Sequence, residues 1–284
     1  MRRLLWVVAA AALLAACGTT KSTAEPQKSG PKRIVSLSPT ATEMLFAIGA
    51  GGQVVAADEF SNYPAQAPKT KLSGFTPNAE AIAAYNPDLV VLSTDAKGIV
   101  AQLGKLNIPT YLATDAKTID DTYAQITELG KRTGHESEAK ALNERMQGDL
   151  SKLVAGLPKP KKPLTYYYEL DPALYTATSK TFIGSLFTQA GLVNVADAAD
   201  ASGSGYPQIT AEALIKANPD VIFLADSVMG ETPDKVKARP GWTAVTAVAK
   251  GNVVALDSDI ASRWGPRVVD LMRAITDAVA KAQA

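Results

Sequence analysis

Two stretches of the chain, 132 residues apart, carry the same pattern of hydrophobic and polar positions. Residues 78–92 read NAEAIAAYNPDLVVL, and residues 210–224 read TAEALIKANPDVIFL. Glu80 aligns with Glu212, Asn86 with Asn218, and Pro87-Asp88 with Pro219-Asp220, with no gap. Each copy opens on a residue suited to cap a helix, Asn78 or Thr210. An acid follows in the first turn, where the helix dipole favours negative charge. A short helix then runs into Asn-Pro, because the residue before proline avoids the α region. The next run is apolar without alternation, as in a strand buried on both faces of a parallel sheet. Two copies this far apart predict paired lobes and not a solenoid.

The remaining pattern fills in both lobes. In the first, strands are expected at 33–37, 54–57 and 110–113, and helices at about 41–48, 99–106 and 119–131. Residues 59–74 read mostly as loop. Ala139, Leu142, Met146, Leu150, Leu153 and Val154 then follow a 3.6-residue period across 135–157. A helix of that length spans about 35 Å and ends at a proline-rich turn. In the second lobe, strands are expected at 164–170 and 253–256, and helices at 182–191 and 266–284, with loop and helix around Trp242. Tyr166, Tyr167 and Tyr168 read as strand residues that alternate between faces. The predicted class is therefore α/β. Two similar lobes with central, mostly parallel sheets, residues 33–133 and 158–284, are joined by one long connector helix at 134–157.

Composition narrows the chemistry. The 284 residues suit two lobes of ordinary domain size, and 46% apolar residues are ample for a core. A net charge of +1 leaves no basic excess for nucleic acid, so no nucleic-acid partner is expected. One cysteine, Cys17, excludes internal disulfides, and one histidine, His135, excludes a multi-histidine metal site within the chain. His135, among Lys131, Arg132, Glu136 and Glu138, reads as an exposed surface residue.

The first 16 residues form a leader, with Arg2-Arg3 ahead of a short apolar run that ends in small residues. Leu14-Ala15-Ala16-Cys17 resembles the bacterial lipobox, in which the cysteine becomes the lipidated N-terminus. An ordinary signal peptide is the plain alternative. Without the leader the count is 27 basic against 28 acidic residues. Residues 17–32, rich in Ser, Thr, Gly and Pro, read as a tether between a membrane anchor and the folded part.

Several motifs, taken together and in order, resemble substrate-binding proteins of iron–siderophore and cobalamin ABC importers. They are I-V-S-L-S-P-T-A-T-E at 34–43, Asn62-Tyr63-Pro64, the two Glu-x5-Asn-Pro-Asp units, and S-D-I-A-S-R-W-G-P-R at 258–267. The resemblance covers residues 33–284 and implies a ligand cleft between the lobes. It implies that Glu80 and Glu212, one per lobe, dock onto arginines of a permease dimer. For Phe60, Phe75, Tyr175 and Tyr206 it implies positions on an aromatic cleft wall, for Asp259 and Arg263 a polar pair at the rim, and for Trp264 a place in the cleft or against the last helix. Cobalamin binders often carry tryptophan where this chain has Phe75, Ser93 and Tyr206. The implied ligand is cobalamin or a ferric siderophore. The protein is expected to be a monomer without a resident cofactor, held outside the cytoplasm by a lipid anchor.

Three other readings stay open. One is a haem receptor of the same fold using tyrosine. Another is an adhesin-like lipoprotein without a small ligand. The third is a surface enzyme such as a glycosidase using paired acids. The chain has no G-x-S-x-G, P-loop, G-x-G-x-x-G or C-x-x-C motif, so no enzyme is expected.

Overall fold

The computed structural model describes residues 30–158 and 162–283. Cys17, the leader and most of the tether lie outside the described residues. The first lobe runs β1 (Ile34–Leu37), α1 (Pro39–Ala47), β2 (Val54–Asp58), β3 (Lys69–Leu72), α2 (Ala79–Ala83), β4 (Leu89–Leu92), α3 (Ile99–Lys105) and β5 (Thr110–Leu112). Two longer helices follow, α4 (Ile119–Thr133) and α5 (Glu136–Ala155). The second lobe runs β6 (Thr165–Glu169), α6 (Phe182–Gln189), β7 (Val193–Asn194), α7 (Ala211–Ala217), β8 (Val221–Leu224), α8 (Pro233–Ala238), α9 (Thr246–Ala249) and β9 (Val253–Ala255). It closes with α10 (Ser258–Ser262) and α11 (Val268–Gln283).

Both sheets are parallel throughout, ordered β3-β2-β1-β4-β5 and β7-β6-β8-β9. The 132-residue offset extends beyond the two repeat units. Ile34 faces Leu89 across the first sheet as Tyr166 faces Val221 across the second. Asp88 accepts the backbone N–H of Lys32 and Arg33 at 3.0 and 2.8 Å, and Asp220 accepts that of Thr165 at 2.9 Å. The acid of each Asn-Pro-Asp thus pins the start of the neighbouring central strand, where ladder donors would otherwise go unpaired. Asn78 and Thr210 cap α2 and α7 as expected. Asn86 and Asn218 end those helices in the left-handed region, at φ +47° and +50°. Asparagine tolerates this geometry better than most residues.

Alternating side chains give each sheet two cores. Ile34, Tyr166 and Tyr168 face one large apolar cluster that includes Leu45, Met146 and Ile275, and therefore spans both lobes. Val35 and Leu37 face a smaller cluster outside the first lobe, and Tyr167 faces one with Trp242 outside the second. The shared cluster is filled by α1, α4, α5, α6 and α11. The connector helix is therefore not solitary. Its 20 residues, about 30 Å long, pack antiparallel to α4 and against α11.

Three expectations are corrected. The 59–74 stretch contains β3, a polar edge strand (KTKL) with no alternation to mark it. The two-residue strand β7 and the five-residue helix α10 are too short to leave a periodic signal. His135 is half-buried, its ring packed against Gly49 and its Nδ1 3.0 Å from the Thr133 carbonyl. No helix among the described residues is long and apolar enough to cross a membrane.

Candidate functional site

In open parallel sheets, ligands bind beyond the C-terminal strand ends, where neighbouring connections diverge. Here the two sheets turn those ends toward a common cleft. A chamber of about 490 Å³ takes residues from the loops after all five strands of the first sheet, including Pro39, Phe60, Phe75, Thr94 and Asp115. A second, about 340 Å³, is lined mainly by second-lobe residues, including Lys180, Phe182 and Tyr206. Asp115, Ser262 and Trp264 line both, so the chambers are continuous. A shallower depression along α4 meets them at Asp115. The combined size is ordinary for a small-molecule site.

The aromatic side chains are the cleft's most unusual feature. Phe75 is 74% exposed, Tyr206 53% and Phe60 50%. Large apolar side chains left in water at one place mark a binding surface. Phe60 and Phe75 stand edge to face, centroids 5.7 Å apart. The loop bearing Phe75 packs tightly, since a Cβ on Gly74 would lie 2.6 Å from the Leu37 carbonyl. Gly205, at φ +82°, sets the turn that presents Tyr206. Tyr175 is also exposed but lines neither chamber. Its backbone bridges to Gln208, two residues beyond Tyr206.

Trp264 is anchored, donating from Nε1 to Gln125 at 3.1 Å and accepting the Thr122 hydroxyl at its carbonyl at 2.9 Å. Arg263 and Asp259 line the first chamber. The Arg263 guanidinium is buried and donates to Glu43 (2.8 Å), Asn62 Oδ1 (3.0 Å), the Phe60 carbonyl (3.1 Å) and Asp259 (2.7 Å). Arg267 adds two bonds to Glu43, at 2.9 and 2.6 Å, and lies over the Tyr63 ring. Segment 259–267 follows the last strand of the second lobe, yet it is bonded to the first.

Under the chamber floor, Ser61 donates to Asp58 at 2.6 Å and meets the Thr42 hydroxyl, which donates to Ser36. Burial pushes the Asp58 carboxyl up, and the Ser61 bonds offset part of the shift. The Tyr206 phenol is also pushed up, by burial and by Asp115. The second lobe has its own buried ion pair, with Arg239 donating to both Glu169 oxygens at 2.7 and 2.5 Å. Asp226, after β8, is buried with no partner for either oxygen among the described residues, and burial followed by Glu169 pushes its pKa to about 6. Glu80 and Glu212 are exposed in the first turns of α2 and α7, line neither chamber and, among the described residues, make no ion pair. Both helices start at the cleft-side edge of their sheets, four and five residues after Phe75 and Tyr206.

Sequence reasoning missed Glu43, Asn62 and Asp115 as parts of this site. Glu43 left a signal, an acid inside the apolar helix A-T-E-M-L-F, matched by two arginines four residues apart at 263 and 267. Asp115 left none beyond its place after a strand. No group of three or more potential metal-ligating side chains occurs among the described residues.

Comparison with known proteins agrees with this geometry. A lipoprotein of Bacillus subtilis described as an ABC transporter substrate-binding protein, YvrC, is 30% identical across 89% of this chain and 81% of its own. A cobalamin-binding protein of Halobacterium salinarum is 29% identical across 90% of this chain and 72% of its own. The crystal structure of the periplasmic vitamin B12-binding protein BtuF of Vibrio cholerae superimposes with a TM-score of 0.72 at 26% identity, covering 89% of this chain and 98% of that one. The family described as periplasmic binding protein matches residues 34–260, and the chain belongs to it.

Proposed function

We propose that the protein is the ligand-capturing receptor of an ABC importer, taking a cobalamin or ferric-siderophore chelate into the interlobe cleft and presenting it to a permease. The observation that carries this is the exposed aromatic wall contributed by both lobes at the ends of two parallel sheets. Aromatic faces offer large contact area at low entropic cost to a bulky chelate. Glu80 and Glu212 present one exposed carboxylate per lobe, and charge-assisted pairing with permease arginines is their role. They are not a glycosidase pair, because neither lines the cleft. The protein is a binding protein and not an enzyme. It acts as a monomer outside the cytoplasm, anchored through Cys17.

Haem capture through a tyrosine is less well supported. Among the described residues, Tyr206 is the one tyrosine that lines the two chambers, and no histidine lines them beside it as a second ligand. His135 packs against Gly49, beyond the C-terminal end of α1 and away from the chambers.

The test is isothermal titration of the purified chain with cyanocobalamin and with a ferric trihydroxamate. Saturable one-to-one binding of either is expected. Phe75→Ala and Tyr206→Ala should each weaken it about tenfold, as truncated aromatic anchors do. Titrations without heat for both chelates would overturn the reading.

A further inference from the structure

Arg263 is the guanidinium that lines the first chamber, and an anionic chelate would be expected to pair with it. Its hydrogen bonds are already committed. A guanidinium carries five N–H donors, and Arg263 gives four bonds inside the protein, to Glu43, Asn62, the Phe60 carbonyl and Asp259. Glu43 lies behind the wall on α1, buried, and lines neither chamber. Asn62 also donates to Asp259, at 2.6 Å. Glu43 and Asp259 balance Arg263 and Arg267, so the cluster presents no net charge.

What the cluster grips is the segment after β2. The Phe60 carbonyl and the Asn62 side chain are both held, and Phe60 in turn abuts Phe75. Releasing Arg263 to a ligand would strand a buried Glu43 with one partner and free this loop. The other charges of the chambers offer little to a polyanion. Asp58 is buried on Ser61, and Asp115 is exposed and unpaired among the described residues. Lys180 lies 3.6 Å from the buried Asp200, which leaves Lys117, among the described residues, as the chamber cation without an ion pair, against Asp115.

We propose that Arg263 is a positioning residue, locked by Glu43 to hold the Phe60–Phe75 wall, and that the cleft therefore selects an uncharged metal chelate over a polyanionic one. The inference rests on the receptor reading above and names the charge class of its ligand.

The test is calorimetric titration of the purified chain with three probes. Two are uncharged, cyanocobalamin and a ferric trihydroxamate, and one is trianionic, a ferric tris-catecholate. An uncharged probe should bind at least about a hundredfold more tightly than the trianion. Glu43→Gln should weaken that binding about tenfold although Glu43 touches no ligand. Asn62→Ala, an exposed change that leaves the core intact, should weaken it about threefold. Adding Glu43→Gln to Arg263→Gln should cost little more than Arg263→Gln alone, the non-additivity of residues acting as one unit. Amide exchange across residues 59–63 should speed up in the Glu43 and Asn62 variants.

The trianion binding as tightly as the uncharged probes would overturn the selectivity. Affinity lost in Arg263→Gln but kept in Glu43→Gln and Asn62→Ala would overturn the positioning role in favour of direct contact. If none of the probes bound, the receptor reading and the selectivity would fall together. Exchange at 59–63 would still decide whether the cluster holds the wall, and unchanged exchange would refute it.

Discussion

The two lobes agree at the starts of their strands and differ at the ends. At the starts, Asp88 holds Arg33 as Asp220 holds Thr165, at one offset of 132 residues. At the ends, the same offset sets Leu37 against Glu169 and Thr94 against Asp226. Two apolar or neutral positions in the first lobe are buried acids in the second. The strand starts do the same mechanical job twice, so the same residues serve. The strand ends face the cleft, whose two sides carry different residues. The first lobe offers Phe60 and Phe75, tied down by Glu43 and Arg263. The second offers Tyr206 and a separate ion pair, Glu169 with Arg239.

Glu80 and Glu212 lie at the cleft edge but belong to the duplicated part. If they meet a two-fold permease, their contributions should be alike. Uptake of the cognate chelate should fall at least about a hundredfold in the Glu80→Ala/Glu212→Ala protein. Each single variant should lose a similar, smaller share, in line with truncated charge-assisted contacts. Ligand affinity of the isolated receptor should change less than twofold. Uptake assays in cells beside calorimetry check this. Unequal single variants, or lost ligand affinity, would break the symmetry.

Asp226 tests the diverged side. Burial pushes its carboxyl up to about 6 in the folded protein, from an ordinary value of 3.8. The folded state therefore binds that proton more tightly. This contribution to stability is full below about pH 4 and is lost as pH rises through 6. One unit is worth about 1.4 kcal/mol, so the loss approaches about 3 kcal/mol. Asp226→Asn should remove this part of the slope. The variant should gain on the wild type between pH 4 and 7, as read by urea unfolding at each pH. Asp58, also shifted upward, adds a slope of the same sign in both proteins. Parallel curves for the two would show that Asp226 is ionised without cost, and the lobes would then differ less than their burial suggests.

The same contrast explains what the sequence made legible. The duplicated unit was readable because a buried parallel strand, a cap and a proline each leave a local mark. So the two-lobed α/β class and the helices from 119 to 155 follow from periodicity. Phe60, Phe75 and Tyr206 were pointed to by resemblance, and exposure brings them to the cleft. The Glu43–Arg263 pairing was not readable, because the two lie 220 residues apart and an acid inside an apolar helix names no partner. Only the folded chain shows that the arginine is already paired. β3 and β7 were lost for a different reason: a polar edge strand and a two-residue strand carry no alternation.

The smallest expected effect concerns the strand starts. Removing a buried or half-buried acceptor strands its donors and costs about 1–3 kcal/mol. Asp220 is half-buried and takes both the amide and the hydroxyl of Thr165, each at 2.9 Å. Asp88 is exposed and takes the amides of Lys32 and Arg33, which water can reach. Asp220→Ala should therefore destabilise the protein by about 2 kcal/mol and Asp88→Ala by about 1 kcal/mol or less. Urea unfolding monitored by circular dichroism gives both numbers. A larger loss at Asp88 would mean that the pin on β1 also holds the chain leading into the fold, a load that the second lobe's copy does not carry.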